Sequence, residues 1–495
     1  MTSPGTQTRP ARPGLVLLWC VLAVFVYALL PADQLSHAGR SVASVGVLMA
    51  ALWLSEAIPL PATALLPLAL IPTLTVGEIS IRSVAAPYGH ELIFLFMGGF
   101  MIALAMQSCG LHRRIALRTI LTVGSKPHVV VLGFMLAAAG LSMWISNTAT
   151  AVMMLPIALS VIELLRAQTG AAEGESFPFA TCLLLGTAYA CSIGGMATLI
   201  GTPPNLMMAA FLEDSYGMSL GMGEWLPFGL GITCLLLPAA WLLLVKLLFP
   251  LEVEEIPGGD RLFREKLEEQ GSASTAERRV LAVFGFTALL WISRSWLQDV
   301  SFGGSTPFAG LSDSGIAMTA AILLFALPNG CDGKALLLWS KARELPWGIL
   351  LLFGGGLSLA AAVRASGVDR FLGGLVGSLS GVSLWVLVAG VTALVVFMTE
   401  LTSNAATTAT LLPILAAAAE GLGVEPLVLV VPATLAASCA FMMPVATPPN
   451  AIVFGSGELS IRQMCKAGIW LNLLAIAVIV AVTMLLGPSL LGMES

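Results

Sequence analysis

Charged residues are scarce in this chain. Asp, Glu, Lys and Arg make up 10% of the 495 residues, hydrophobic residues make up 57%, and the mean hydropathy is +0.93. These values exclude an ordinary soluble globular protein, and they give no support to a nucleic-acid-binding surface. Many apolar runs approach the roughly 20 residues that cross a bilayer as a helix, and they are continuous rather than alternating. We therefore predict an all-α polytopic membrane protein.

Reactive side chains are scarce as well. The eight cysteines form no CxxC pair, and the histidines lie near the ends of apolar runs, without a partner that would form a nucleophile–base dyad. The histidines are His37, His90, His112 and His128. We expect no enzymatic activity and no catalytic residue.

The apolar runs predict eleven transmembrane helices. Two further apolar regions, 127–165 and 381–419, are too long for one span and long enough for two short helices. We predict that each is a re-entrant helical hairpin. The eleven spans are expected at about 14–31, 40–57, 60–76, 91–109, 179–212, 224–249, 278–298, 312–328, 345–363, 426–455 and 466–487.

The placement of basic residues supports this topology. With the N-terminus in the cytoplasm and each hairpin entering and leaving on one side, 18 of the 23 Lys and Arg residues lie inside. This is the positive-inside pattern. The C-terminus is then outside, and the compact loops suggest a bacterial inner membrane. The five basic residues placed outside are Arg40, Arg82, Arg294, Arg364 and Arg370.

The two halves of the chain repeat each other. The segment beginning FMGGF at Phe96 matches the segment beginning FGGGL at Phe353, and the same offset carries Ser146-Asn147 onto Ser403-Asn404. Further along, GTPPN (201–205) matches ATPPN (446–450) at a smaller offset, which a shorter connection would explain. An odd number of spans separates equivalent points, so the second copy is inverted. Inverted repeats with broken helices are typical of secondary transporters.

Four polar motifs interrupt the apolar regions. Each hairpin carries a Ser-Asn motif near its middle, ISNTAT (145–150) or TSNAAT (402–407), and two proline pairs break the helices predicted at 179–212 and 426–455. Helix starts favour anions and helix ends favour cations. Four such turns folded together could hold a small anion, and bound sodium could compensate its charge because Na⁺ prefers oxygen ligands.

One pair of hydroxyls adds to this pattern. Ser142 and Thr399 both lie five residues before the asparagine of their motif. A hydroxyl at this place in both copies fits a cation ligand. The alternative is a hydroxyl that bonds back to its own helix.

These motifs resemble those of the divalent anion/sodium symporter family, in particular its dicarboxylate transporters of the INDY type. The resemblance covers about residues 14 to 487. It implies a homodimer in the lipid bilayer, with a scaffold domain (14–126 and 278–380) and a transport domain (127–250 and 381–487) that moves as an elevator. The polar segment 251–277 reads as a cytoplasmic linker between the halves. Substrates of the family are C4-dicarboxylates, tricarboxylates or sulfate, mostly coupled to Na⁺.

Carried over motif by motif, the resemblance also implies ligands. One sodium site would use Ser142, Ser146, Asn147 and the backbone at Gly201, and the other would use Thr399, Thr402, Asn404 and the backbone at Ala446. The substrate would contact Asn147, Thr148, Thr202, Pro203, Ser403, Asn404, Thr447 and Pro448. Ala405 stands where the first motif has Thr148, so one substrate-facing hydroxyl is missing in the second copy.

The leading hypothesis is sodium-coupled uptake of a C4-dicarboxylate such as succinate, malate or fumarate. The alternatives are a sodium-independent dicarboxylate exchanger, a sulfate or tricarboxylate transporter, and a pump of related fold exporting arsenite or protons. Glu400, an ionisable residue at membrane depth, could couple protons or pair structurally. His112, Arg113 and Arg114 are expected on a solvated basic face of an interfacial helix at the cytoplasmic side.

Overall fold

The chain folds entirely as helices and loops over the part that the structure describes. The computed structural model describes residues 12–124, 126–169, 177–251, 259–301, 305–376 and 382–492, which contain one isolated β-bridge and no strand. The all-α prediction is confirmed. Helices of the first half are α1 (Pro13–Leu29), α2 (His37–Ser55), α3 (Leu60–Thr63), α4 (Leu66–Leu74), α5 (Ile81–Ala85), α6 (Glu91–Cys109), α7 (Leu111–Val123), α8 (Pro127–Ser142), α9 (Asn147–Thr169), α10 (Pro178–Gly195), α11 (Pro203–Tyr216) and α12 (Met222–Leu242).

The second half repeats the order of the first from α6 onward. Helices α6 and α17 are equally long, at 19 residues each, and α8 and α19 are both 16 residues long. A 3₁₀ turn (Ala86–Gly89) precedes α6, and a π-helical turn (Leu243–Leu248) follows α12. The later helices are α13 (Gly259–Glu269), α14 (Thr275–Gln298), α15 (Asp313–Ala326), α16 (Trp339–Ala342), α17 (Trp347–Ala365), α18 (Val368–Val376), α19 (Leu384–Thr399), α20 (Asn404–Leu422), α21 (Pro426–Ala437), α22 (Pro448–Phe454) and α23 (Ile461–Leu491).

The predicted span 60–76 is not one continuous helix. Helix α3 ends at Thr63 and α4 begins at Leu66. Pro67 has no N–H to donate to the carbonyl of Thr63, and its ring would clash there, so the helix stops and restarts. The carbonyl of Ala64, left without a helical partner, accepts the hydroxyl of Tyr88.

Length and composition alone do not settle how many helices cross the membrane. Within the described residues, nine helices are long and apolar enough to span one. Two of the nine, α9 and α20, are the second arms of the predicted hairpins. A spanning helix and a re-entrant arm share the same apolar composition, so the number of eleven remains a prediction.

The broken helices lie at the centre of the molecule. In α10, 94% of the span is buried, and every residue of α21 is buried, whereas only 17% of α14 is buried. Both breaks fall where the proline pairs predict: α10 and α11 are separated by 196–202, and α21 and α22 by 438–447. The connection between the hairpin and the broken helix runs from Thr169 to Pro178 in the first copy and is shorter in the second, where it runs from Leu422 to Pro426. Helices α20 and α21 are also shorter than their counterparts.

The linker packs more closely than its polar composition predicts. Phe263 of α13 is buried and contacts Phe134 of α8, with ring centroids 6.1 Å apart. Arg114 is also buried rather than solvated: its Nε lies 2.7 Å from Glu277 Oε1, and its Nη1 donates to the carbonyl of Gly271. The prediction of a solvated basic face is therefore wrong for Arg114, because the carboxylate of Glu277, 163 residues away in the chain, neutralises its charge.

Candidate substrate and cation site

One cavity of about 790 Å³ lies where the four polar motifs meet. Both hairpin tips line it, at 146–148 and 401–405, and so do both helix breaks, at 200–204 and 445–449. All the residues that the sequence suggests for substrate or sodium therefore line this cavity, except Ser142 and Thr399. These two are fully buried behind the tips.

Four helices begin at the wall of this cavity. Helices α9 and α20 start at Asn147 and Asn404, and α11 and α22 start at Pro203 and Pro448. The first backbone N–H groups of a helix have no partner within it, and the helix dipole makes this end positive. The cavity thus presents partial positive charge without a lysine or arginine in its lining. Such a wall suits a small anion.

Oxygen atoms of the first copy converge beside two glycines. A methyl group placed on Gly195 would lie 2.9 Å from Asn147 Oδ1 and 3.2 Å from the carbonyl oxygen of Gly201. One placed on Gly201 would lie 3.0 Å from the carbonyl oxygen of Ser142. We call this group, Ser142, Asn147, Gly195 and Gly201, the first cradle. Only glycine leaves this space open.

Two oxygens of the first cradle have no conventional hydrogen bond. Ser142 Oγ and Asn147 Oδ1 are buried, and none of the described residues donates a hydrogen bond to them, although the Cys191 thiol lies close to Ser142. A buried unpaired oxygen costs free energy. A cation that accepts lone pairs from several neutral oxygens would satisfy both. The neighbouring hydroxyl of Ser146 caps α9 by accepting the N–H of Ala149.

The second copy gathers oxygens in a similar way but uses them differently. Thr399 Oγ1 lies 2.9 Å from Asn404 Oδ1 and 2.9 Å from the carbonyl oxygen of Ala437. We call Thr399, Asn404 and Ala437 the second cradle. Like Ser142, Thr399 does not bond back to its own helix. Thr402 does, since its hydroxyl lies 2.9 Å from the carbonyl oxygen of Met398.

The asparagine of each TPPN motif holds the backbone of the break that precedes it. Asn205 Nδ2 donates to the carbonyls of Met196 and Thr198, at 3.1 and 2.9 Å. In the second copy, Asn450 Nδ2 donates to two carbonyls of its own break, both at 3.1 Å. The sequence marks these asparagines as bordering the breaks. Their role in donating to carbonyls within the broken segments appears only in the structure.

The wall opposite the motifs comes from other helices. Phe96 and Phe100 of α6, Ile349 and Leu352 of α17, and Glu56 after α2 line it. Glu56 has a left-handed backbone (φ 47°), which is uncommon for a residue other than glycine. The sequence points to Phe96 only as part of the repeat. No pattern in it indicates that this wall closes the cavity.

The two tips differ where substrate would contact them. Thr148 is exposed to the cavity, and its counterpart Ala405 is 9% exposed. Leu401 and Val445, both on the second side, are 75% and 77% exposed. The second side of the cavity is therefore less polar than the first.

Apolar helices, two central breaks and polar turns around a shared cavity define a helical membrane transporter. Comparison with known structures agrees. The chain superposes on the Neisseria gonorrhoeae transporter MtrF with a TM-score of 0.59 at 14% identity, covering 95% of this chain and 98% of that one. It superposes on the YdaH transporter of Alcanivorax borkumensis with a TM-score of 0.61 at 17% identity, covering 97% and 100%. At these identities the likeness shows the fold.

The chain belongs to the sodium:sulfate symporter transmembrane region family, whose model matches residues 14–493. It is 42% identical over 484 residues to the sodium-dependent dicarboxylate transporter SdcS of Staphylococcus saprophyticus, covering 97% of this chain and 92% of that protein. It is 39% identical over 469 residues to SdcS of Staphylococcus aureus, covering 93% and 88%. The family resemblance recognised in the motifs is confirmed.

Proposed function

We propose that this protein couples sodium entry to the uptake of a C4-dicarboxylate of the succinate, malate and fumarate class. The observation that carries the proposal is the cavity in which four helix starts meet two groups of neutral oxygens. The helix starts would hold the carboxylates, and the cradles would hold Na⁺, which compensates the substrate's charge. The names of the relatives, sodium-dependent dicarboxylate transporters, support both the ion and the substrate class.

The proposed sodium ligands share Ser142, Asn147, Gly201, Thr399 and Asn404 with the cradles and add Ser146, Thr402 and Ala446 from the cavity wall. In the first, Ser142, Ser146, Asn147 and the backbone at Gly201 would bind one Na⁺. In the second, Thr399, Thr402, Asn404 and the backbone at Ala446 would bind another. The substrate would contact Thr148, Ser403 and the motif asparagines, together with the helix starts at 202–203 and 447–448.

Transport would follow an elevator motion of a homodimer in a bacterial inner membrane, with the N-terminus in the cytoplasm and the C-terminus outside. The residues that line the cavity support a division into a transport domain and a scaffold domain. Its polar turns all come from the proposed transport segments, 127–250 and 381–487. Its opposite wall comes from the proposed scaffold segments, 14–126 and 278–380. With this division the cavity would lie on the boundary across which the transport domain would slide.

Uptake of radiolabelled succinate into liposomes tests the proposal. Purified protein is reconstituted, and uptake is followed with and without an inward sodium gradient. A parallel arm uses liposomes preloaded with unlabelled succinate and no gradient. We expect uptake only with the gradient, and loss of it in Asn147→Ala and Asn404→Ala. Asn329→Ala, which changes an asparagine in a loop remote from the cavity, is the matched control and should retain uptake.

Two other results would replace the proposal. Uptake that needs preloaded succinate and ignores sodium would make the protein a dicarboxylate exchanger of the same fold. Sodium-driven uptake of labelled sulfate or citrate, with none of succinate, would make it a sulfate or tricarboxylate transporter.

A further inference from the structure

Glu400 is an ionisable residue that the proposed site does not use. It follows Thr399 in the tip of the second hairpin and is 3% exposed. The first copy has Met143 at the equivalent position. A buried carboxylate within an apolar region requires partners, so its surroundings indicate its role.

The carboxylate of Glu400 is held by four N–H donors. Oε1 accepts the backbone N–H groups of Phe441 and Met442, at 2.7 and 2.9 Å, and Nδ2 of Asn472, at 2.8 Å. Oε2 accepts the backbone N–H of Met443 at 3.0 Å. Three consecutive backbone amides therefore converge on one side chain. Hydrogen bonds to a charged acceptor are among the strongest in proteins.

The segment held in this way, 441–443, lies in the middle of the second break. Asn450 donates to the carbonyls of Ala440 and Met443 in the same break. Glu400 thus holds its N–H groups while Asn450 holds its carbonyls. Ala446 and Thr447, which line the cavity, follow directly along the chain. The carboxylate consequently fixes the backbone that leads into the second cation and substrate site.

Over the part of the chain that the structure describes, neutral groups hold the first break. Thr198 Oγ1 donates to the carbonyl of Met143, and its oxygen accepts the N–H of Gly201 at 3.0 Å. A neutral hydroxyl and the clamp of Asn205 therefore do in the first copy what a carboxylate does in the second. The two cradles are alike in their oxygens and unlike in the charge beside them.

We propose that Glu400 is a positioning residue that makes the second cradle the stronger of the two sodium sites. It acts by holding the second break through the N–H groups of Phe441, Met442 and Met443, and by carrying a negative charge on the residue that follows Thr399 in the chain. Attraction between opposite charges is much greater in a buried site than in water. The first cradle lacks this contribution. The inference rests on the sodium coupling proposed above.

Sodium titrations of succinate uptake test this role. Glu400→Gln removes the charge and turns an amide group toward N–H donors. We expect it to raise the sodium concentration for half-maximal uptake about tenfold or more, the scale seen when groups that orient metal ligands are changed. The succinate KM at saturating sodium and the pH profile of uptake should stay at their wild-type values. Glu400→Asp, which keeps the charge, should recover part of the sodium affinity. Glu344→Gln, at an exposed carboxylate, is the control.

Each outcome decides the inference. An unchanged sodium requirement in Glu400→Gln overturns it, and an altered pH profile with unchanged sodium dependence makes Glu400 a proton carrier instead. If Glu400→Gln does not fold, Asn472→Ala decides: a raised sodium requirement with unchanged succinate KM supports the role, and an unchanged one overturns it. A wild-type protein without sodium dependence removes the proposed function and this inference together. Sodium dependence that the variants leave untouched removes the inference alone.

Discussion

The two cradles occupy equivalent helix ends, yet they differ in how open they are. The first is lined by Gly195 and Gly201, and two of its side-chain oxygens have no conventional partner among the described residues. In the second, Thr399 already contacts Asn404 and the carbonyl of Ala437, and Ala446 stands at the position of Gly201. Duplication has therefore preserved the helix ends while the side chains between them have diverged.

Structural symmetry between the two copies therefore need not mean equal binding. The first cradle leaves oxygens unsatisfied, which a cation would repair. The second keeps its oxygens in contact with each other, and the next residue after Thr399 is Glu400, whose carboxylate holds the second break. We expect the two copies to respond differently to equivalent substitutions.

The largest effect is expected from closing the first cradle. In Gly195→Ala the new methyl group would lie 2.9 Å from Asn147 Oδ1, closer than carbon and oxygen normally approach, so the asparagine must move. We expect sodium-driven succinate uptake to fall to background. Gly140→Ala on α8, where an added methyl group meets nothing within 4 Å, should transport normally. Wild-type uptake in Gly195→Ala would show that the cradle is not a sodium site.

Removing the equivalent hydroxyls of Ser142 and Thr399 should affect the two copies differently. Ser142→Ala deletes a hydroxyl without a conventional hydrogen bond, so we expect sodium affinity to fall about tenfold with an unchanged thermal unfolding temperature. Thr399→Val also deletes the contacts with Asn404 and the carbonyl of Ala437, so the sodium affinity and the thermal unfolding temperature should both fall. Sodium titration of uptake and thermal unfolding in detergent measure them.

A third hydroxyl, that of Thr392, provides the control for that pair. Thr392→Val, on α19 with Thr399, removes a hydroxyl that lies 2.6 Å from the carbonyl of its own helix at Val388. It should leave the sodium requirement unchanged. Equal losses of stability in Ser142→Ala and Thr399→Val would contradict the difference drawn between the cradles.

A smaller effect is expected where the hairpin tips meet substrate. Ala405→Thr restores the hydroxyl that the first tip has at Thr148. One added hydrogen bond of about 1 kcal/mol would lower the succinate KM about fivefold, and Thr148→Ala should raise it by a similar factor. The sodium requirement should not change in either variant. An unaffected KM in both variants would place the substrate away from the tips.

The smallest effect concerns an ion pair that joins the two copies just beyond the predicted hairpin 127–165 and the predicted span 426–455. Arg166, at the end of α9, donates to both oxygens of Glu458, at 2.9 and 2.6 Å, in the segment after α22. The guanidinium holds the pKa of the Glu458 carboxyl below its ordinary value of 4.5. Because the folded pKa is the lower one, the pair stabilises the protein above pH 4.5, and its contribution is lost as the pH falls through the folded pKa.

Thermal unfolding between pH 7 and pH 4 measures this contribution. Wild type should lose more stability over this range than Glu458→Gln, by no more than about 1 kcal/mol for a pair of this exposure. Identical pH dependence in the two proteins would mean that the pair contributes nothing to stability.

Several features of the fold could be predicted because they depend on local chemistry. Continuous apolar runs predict helices, and proline pairs predict the breaks at 196–202 and 438–447, since proline cannot donate the helical hydrogen bond. The repeat predicts that the Ser-Asn motifs lie at equivalent turns. The break between α3 and α4 was missed, although Pro67 indicates it, because the run 60–76 is apolar throughout.

Other features depend on contacts between distant segments. The burial of Arg114 required Glu277, and the clamps of Asn205 and Asn450 required carbonyls whose positions follow from the path of each break. The opposite wall at Phe100 and Ile349 is apolar like any packed helix, so no local pattern distinguishes it.

Local patterns in the sequence predict the helical class, the duplicated motifs and the two breaks at the proline pairs, because hydrophobic length and the missing N–H of proline act within a few residues of the chain. Only the tertiary structure decided that the four turns surround one cavity, that Gly195 opens the first cradle, and that Glu400 holds the second break. These depend on distances between atoms far apart in the chain, which packing sets.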